Sequence, residues 1–215
     1  MHQSEGLQDK IYKALNTAAR AVGMETHAYR PSGPVHPLHP GNRFLRLRAA
    51  FSAGEGRFTQ PSTYGEALWH GLFDAAYTQP GDYLVQAKSV WFIAAQQRLQ
   101  PILCVLTNRV VSFSRPAAPT VTGVNDYGGM IPATNSPLLI DWPASVLGAT
   151  GRGHQETNLP ADTTVPYWSV LLPARPGIVL LPADIMSDEI GRNAVIAAAE
   201  LTDLGWRITA RQATT

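Results

Sequence analysis

The sequence predicts a mainly β protein with an N-terminal α-helix and two small antiparallel β modules, each a barrel or a sandwich. Three observations carry that prediction. Sustained helical periodicity occurs near the start of the chain. Elsewhere the apolar residues come in short alternating or continuous runs between turn signals, at the roughly ten-residue spacing of small barrels and sandwiches. Glycine and proline number 18 and 17 of 215 residues, which favours many turns over a helical bundle.

The helix is expected from Leu7 to Val22, where Leu7, Ile11, Ala14, Leu15, Ala18 and Val22 recur at three- and four-residue spacing between a Ser4 cap and a Gly23 stop. A helix of that length is marginal alone, so it needs a surface of its own chain or of a neighbouring subunit. Tyr29 to Gly41 follows, with four prolines in YRPSGPVHPLHPG. Proline removes backbone donors, which rules out helix interior and central strand and leaves an extended arm.

From Arg43 the pattern alternates: Leu45, Leu47, Ala49 and Phe51 face one way, Phe44, Arg46 and Arg48 the other, as in a half-buried strand. A short helix is expected over Tyr64 to Tyr77, ending before the turn signal Gln79-Pro80-Gly81-Asp82. Strands then fall at Tyr83–Gln86, Val90–Ala95 and Ile102–Ser114, the last broken near Thr107-Asn108-Arg109, and short connections predict an antiparallel meander. The stretch Arg115 to Gly123 reads as a linker. These signals divide the chain into a helix and proline-rich arm (1–41), a β module with a short helix (42–116) and a barrel-like β module (117–215).

In the last module strands are expected near Leu138–Trp142, Tyr167–Leu172, Ile178–Leu181, Ala194–Ala199 and Trp206–Ala210. Pro173, an acidic turn at Ser187–Arg192 and a turn at Thr202–Gly205 separate them. Ala194 to Glu200 also admits a helix, since alanine has little β preference. Gly148 to Pro160 reads as a loop without pattern.

Composition narrows the function classes. The chain is long enough to bury a core without disulfides or metals. Net charge is +1, so no general basic field for nucleic acid exists. Charged residues make up 15%, below the roughly 25% usual for soluble domains, which suggests a surface that something else covers. Charges interrupt the N-terminal apolar pattern as they would not in a signal peptide, and no apolar run reaches membrane-spanning length. A soluble protein folded in a reducing cytoplasm is expected.

Specific chemistry is sparse. Cys104, the only cysteine, lies in the apolar run Ile102–Leu106 and reads as core packing. His36 and His39 on the proline-rich arm, with His27 upstream, invite a metal reading, but ligands on such a stretch need a third donor at a defined place and none is evident. The loop Gly148-Ala-Thr-Gly-Arg-Gly-His154 lacks the GK[ST] ending of a phosphate cradle, and no GxSxG elbow occurs. Asp184, Asp188 and Glu189 crowd one turn and Glu200 and Asp203 another, a pattern that backbone turns produce without catalysis. His70 and His154 have no carboxylate at informative spacing. Arg43, Arg46 and Arg48 form a small basic stripe that Arg109 and Arg115 would extend; solubility, protein contact and nucleic acid are its alternative uses. Tyr29, Trp142 and Tyr167 suit core or interface. No catalytic, cofactor-binding or metal residue is assigned.

Three stretches carry a resemblance: Pro80-Gly-Asp-Tyr-Leu-Val85; Trp91-Phe-Ile-Ala-Ala95 leading through Gln100-Pro-Ile-Leu103 to Asn108-Arg-Val-Val111; and Glu200-Leu-Thr-Asp-Leu-Gly-Trp-Arg207. They resemble virion structural proteins of the tailed-bacteriophage neck and tail. The order of acidic turn, Gly-Arg pair, strand and Gly-Trp strand resembles the small β-barrel of head-closure and tail-completion proteins. The resemblance implies a non-enzymatic virion component, assembled in the host cytoplasm. It would join portal or adaptor, nozzle or tail-tube proteins and copies of itself in a multi-copy ring or sleeve, near genomic DNA without gripping it, and with no cofactor and no membrane. Arms reaching onto neighbours fit that expectation, as do Ala14, Leu15 and Trp69 in the packing core. Two rivals stand beside it. One is a carbohydrate-binding or cell-wall-degrading tail protein using Asp184, Glu189 or Glu200; the other is a single-strand nucleic-acid binder using Arg46 and Arg48.

Overall fold

The computed structural model describes residues 2–53, 67–117, 135–148 and 167–212. Helix α1 (His2–Val22) leads into β1 (Met24–Tyr29), a 3-10 turn at Pro40–Asn42 and β2 (Arg43–Ser52). Strands β3 (Leu68–Leu72), β4 (Tyr83–Gln86), β5 (Ser89–Ala95) and β6 (Ile102–Leu106) complete the first sheet. The second holds β7 (Arg109–Arg115), β8 (Ser136–Gly148), β9 (Tyr167–Leu172), β10 (Ile185–Asp188), β11 (Asn193–Thr202) and β12 (Gly205–Gln212). Both sheets are antiparallel and both close into six-stranded barrels, in the orders β1-β2-β3-β6-β5-β4 and β7-β8-β9-β12-β11-β10. The mainly β expectation with one N-terminal helix and two antiparallel modules therefore holds.

The two orders are the same, and the register matches apart from an extra irregularity between Val111 and Phe113 in the β7–β8 pair. The pair Tyr29↔Tyr83 corresponds to Ser114↔Ile185, Trp69↔Cys104 to Trp168↔Ala210, and Ala50↔Leu72 to Ser145↔Leu171. The irregularity between Ile93 and Ala95 in β5 recurs between Ile196 and Ala198 in β11. The fold is one barrel topology used twice.

Closure explains the apolar patterning. Ala28, Leu84, Ile93, Ile102 and Cys104 fill the first barrel with Phe73 and Trp91, while Tyr83, Phe92, Ala94 and Val105 on the outer face pack into the cluster that fills the second. Strands β4, β5 and β6 are buried on both faces and read as continuous apolar runs rather than alternating ones. At the junction the Tyr83 hydroxyl donates to the Pro143 carbonyl at 2.8 Å, and its ring meets Trp142 edge-on at 6.0 Å. Asn108, between β6 and β7, donates to the Val146 carbonyl and accepts from the Val146 N–H, fixing the crossing point.

Several expectations are corrected. Residues 67–77 hold no helix: β3 pairs with β2 on one side and β6 on the other, and a Cβ at Gly71 would come within 2.5 Å of Phe73 and 2.9 Å of the Cys104 sulfur. Ala67, Leu68, Leu72 and Phe73 mimic helical spacing, but the cross-strand pairs decide. The meander covers β4 to β6 only, since β7 pairs with β8 and β10. The chain changes barrel at Thr107–Asn108, so β7 (109–115) belongs with the module expected to begin at 117, and β1 belongs with the module expected to begin at 42. Residues 178–181 form no strand, being held between Pro176-Gly177 and Pro182; the strand is β10, which takes Ser187 and Asp188 out of the expected turn. Ala194–Glu200 is strand, paired with β12 along its length and with β10 at its start. Helix α1 already runs at His2, which puts Ser4 inside it rather than at its cap. Residues 64–66, most of the expected linker (118–123) and residues 149–160, including His154, lie outside the described residues.

The proline-rich arm crosses to the second barrel of its own chain, contrary to the expected reach onto a neighbour. Val35 forms a parallel bridge with Ile140, the Trp142 indole donates to the Pro34 carbonyl at 2.7 Å, and Arg175 donates to the carbonyls of Pro31 and Ser32.

Candidate docking surface

Helix α1 is pinned to the first barrel at its C-terminal end. Gly23 closes the last turn on the Ala19 carbonyl, and a Cβ there would lie 2.4 Å from that oxygen and 2.9 Å from Ala49. Arg48 reaches back to donate twice to the Gly23 carbonyl. Tyr12 and Leu15 pack on the barrel core, and Gln8 and Ala19 are buried. Near the other end, the Gln8 side-chain oxygen accepts from the Leu99 N–H in the β5–β6 hairpin. Helix and rim together enclose an apolar groove of about 430 Å³ lined by Ile11, Leu15, Phe51, Leu72, Leu99 and Ile102.

This seating uses only one side of the expected apolar stripe. Leu7 and Val22 are 49% and 58% exposed, and Ala14 and Ala18 are exposed with them. Successive helix residues turn by about 100°, so Leu7, Ala14 and Ala18 share a face roughly a quarter-turn from Gln8, Leu15 and Ala19. Ala14 is therefore outside the packing core where it was expected, while Leu15 and Trp69 pack against it.

Each barrel has an internal clamp. Just after β1, Arg30 binds the Asp82 carboxylate through Nε at 2.8 Å and Nη2 at 2.7 Å and also donates to the Tyr77 carbonyl. At the end of β7, Arg115 binds Asp184 in the same way at 2.8 and 2.9 Å and donates to the Val179 carbonyl. Asp82 and Asp184 are almost fully buried. The hydrogen bond to its aspartate, followed by the charge attraction, holds each guanidinium's pKa above its ordinary value against the effect of desolvation. Between the barrels, Arg30, Pro31, Pro80, Trp142, Arg175 and Leu201 line a second cleft of about 430 Å³.

The other residues singled out from sequence separate in space. Cys104 is fully buried, and desolvation pushes its thiol far above the ordinary range, as expected of core packing. His36 sits 3.0 Å from Asp141, His39 accepts the Gly41 N–H in the 3-10 turn, and His27 lies 3.7 Å from Glu25; no metal-holding group of three donors occurs among the described residues. The His70 Nδ1 is buried without a partner among the described residues. Glu189 accepts from the Val110 N–H and Arg109, Glu200 pairs with Arg207, and Asp188 with Arg192. Arg46 pairs with Glu25, and Arg109 and Arg115 belong to the other barrel, so the expected basic stripe is not continuous. Trp142 is core, Tyr29 is half-buried against it and Tyr167 is 37% exposed. No helix among the described residues is long and apolar enough to cross a membrane.

The fold and these surfaces define a tandem of two closed six-stranded barrels of one topology, carrying a half-covered helix. Comparison with protein families, with curated proteins and with solved structures finds no match to this chain.

Proposed function

We propose that the protein is a non-enzymatic structural component of a tailed-phage virion, at the head-tail neck or in the tail. It joins neighbouring virion proteins, portal or adaptor, nozzle or tail tube, in a multi-copy ring or sleeve. The observation that carries this reading is the half-covered helix: α1 is anchored firmly at Gly23 yet turns Leu7, Ala14, Ala18 and Val22 away from its own barrel. An anchored helix with an uncovered apolar stripe is suited to packing on another protein, because exposing that stripe to water is unfavourable by about 25 cal/mol per Å². The junction supports the same reading: Tyr83, Trp142, Arg175 and the proline arm tie the two barrels together, as a load-transmitting joint requires.

The rival readings draw less support. Asp184, Glu189 and Glu200, the candidate acids of a wall-degrading enzyme, are each engaged by an arginine. Arg46 and Arg48, the candidate strand-binding cations, are spent on Glu25 and the Gly23 carbonyl.

Mass spectrometry of purified virions, with cryo-electron microscopy to place the density, tests the proposal. The chain is expected in stoichiometric multiples at the neck or tail. Its absence from virions overturns the proposal, as does turnover of peptidoglycan or polysaccharide by the purified protein that substitution of Glu189 or Glu200 abolishes.

A further inference from the structure

The repeated topology turns the contact between α1 and the first barrel into a template. In that barrel the β5–β6 hairpin is short, and α1, packed mainly on β2 and β3, is tied to it by one bond from the Leu99 N–H to the Gln8 side chain, with Leu99, Ile11 and Leu15 lining the groove between them. The corresponding β11–β12 hairpin follows the same register as far as Ala198↔Thr209 and then continues through Ala199↔Ile208, Glu200↔Arg207 and Leu201↔Trp206 to Thr202↔Gly205. It projects further and ends in Leu201 and Leu204, 57% and 40% exposed, with the exposed Asp203 between them. No helix lies on this hairpin among the described residues.

The uncovered side of α1 has complementary chemistry. Leu7, Ala14 and Ala18 form its apolar stripe, with Val22 exposed in the last turn; Lys10 lies beside the stripe with Lys13 and Arg20 further round the same side, all three exposed, and the acids of the helix are Glu5 and the exposed Asp9. A stripe of apolar residues with a basic flank matches a tip of two leucines around an aspartate.

We infer that the uncovered face of α1 docks on the β11–β12 hairpin of a second copy of this chain, head to tail, with Leu201 and Leu204 against Leu7, Ala14 and Ala18 and Asp203 toward Lys10 and Lys13. Helix and hairpin belong to different barrels, so each copy offers one surface of each kind. Such a heterologous contact propagates and either closes into a ring or extends as a filament. This inference rests on the multi-copy part of the proposed function and names the contact that would build it.

The test uses the full-length protein and two exposed-surface variants. The helix variant carries Ala14→Glu and Ala18→Glu; the hairpin variant carries Leu201→Ser and Leu204→Ser. Circular dichroism and thermal melting check that both fold as the wild type does. By sedimentation velocity, the wild type is expected to form oligomers as concentration rises, and each variant alone to stay monomeric. An equimolar mixture of the two variants retains one intact helix and one intact hairpin per pair, and is expected to form dimers and nothing larger. A charge exchange, Lys13→Glu with Asp203→Lys, is expected to recover assembly that Lys13→Glu alone weakens. The inference is overturned if the wild type stays monomeric at millimolar concentration, if the variants assemble as the wild type does, or if their mixture stays monomeric. The chain's absence from virions with this assembly intact would instead sink only the virion reading.

Discussion

Asp82 and Asp184 occupy the same position in the two barrels and do the same work. Each follows a proline-containing turn, each carboxylate is buried beneath an arginine at the end of the first strand of its barrel or just beyond it, and each accepts a backbone N–H from the residue three before it, Gln79 or Leu181. Their carbonyls accept from Ile93 and Ile196, which again are equivalent. The clamp joins the first, fourth and fifth strands of each barrel at one point, a place where closure would otherwise depend on β4 and β10, strands of four residues each.

Removing either carboxylate should therefore weaken the barrel that holds it. Asp82→Ala leaves the Gln79 N–H without its acceptor and strips the Arg30 guanidinium of its main partner, at a cost of about 2–3 kcal/mol. Asp184→Ala should cost a similar amount, because the two environments match. Equilibrium urea unfolding of both variants checks the parity. A loss at one site several times that at the other would show that the clamps are not equivalent in energy.

The turns before these aspartates differ by one informative residue. Gly81 and Ala183 hold the same left-handed conformation, at φ of 92° and 74°. Alanine is strained there by about 1–2 kcal/mol, partly offset because glycine gains more freedom in the unfolded chain. Ala183→Gly should thus raise stability by about 0.5 kcal/mol. Gly81→Ala should lower it by about 1 kcal/mol through backbone strain, since the nearest atom to a Cβ there is 3.8 Å away. Thermal melts of the pair read out opposite signs.

The repeat was illegible in the sequence for a reason these residues show. Equivalent pairs drift apart along the chain, because the β1–β2 and β7–β8 connections, the β2–β3 and β8–β9 connections and the two hairpin lengths all differ, so no fixed period exists. Identical residues survive at scattered points, Trp69 and Trp168, Pro80 and Pro182, Asp82 and Asp184, Ile93 and Ile196. Most strands were readable from alternation and turn residues, but not β1, β3 or β10. Strand partnership was not, and partnership moves β7 into the second barrel and makes a strand of Leu68–Leu72. The helix was readable too, but which part of its stripe would be covered depends on Gly23 and Arg48 setting its angle on the barrel.

The Tyr83 hydroxyl is the one polar side-chain atom that β4 contributes to the barrel junction, and burial alone pushes its pKa well above the ordinary tyrosine value. Tyr83→Phe keeps the edge-on contact with Trp142 but leaves the Pro143 carbonyl without this donor. The expected loss is about 1–2 kcal/mol. Because the bond links the two barrels, the variant should also show faster amide exchange at the junction strands β4 and β8, measurable by hydrogen–deuterium exchange. A uniform change across both barrels would refute a junction role.

Acid sensitivity should be traceable to Asp188, the last residue of β10 before the β10–β11 turn. Burial of this carboxylate works to raise its pKa, yet the backbone N–H and guanidinium of Arg192 and the Ile190 N–H outweigh that effect and hold it below the ordinary value. A carboxylate whose folded pKa is depressed contributes stability that is complete above its unfolded pKa of about 3.9 and disappears as pH falls through the folded value. Asp188→Asn should then be less stable than the wild type at pH 7, because asparagine cannot pair with Arg192 as an ion. The gap should narrow as the medium is acidified below about pH 4, where the wild-type carboxylate takes up its proton. Urea midpoints of both proteins measured from pH 7 to pH 2.5 give the comparison. A gap that stays constant across that range would mean the turn is held by geometry and not by the charge on Asp188.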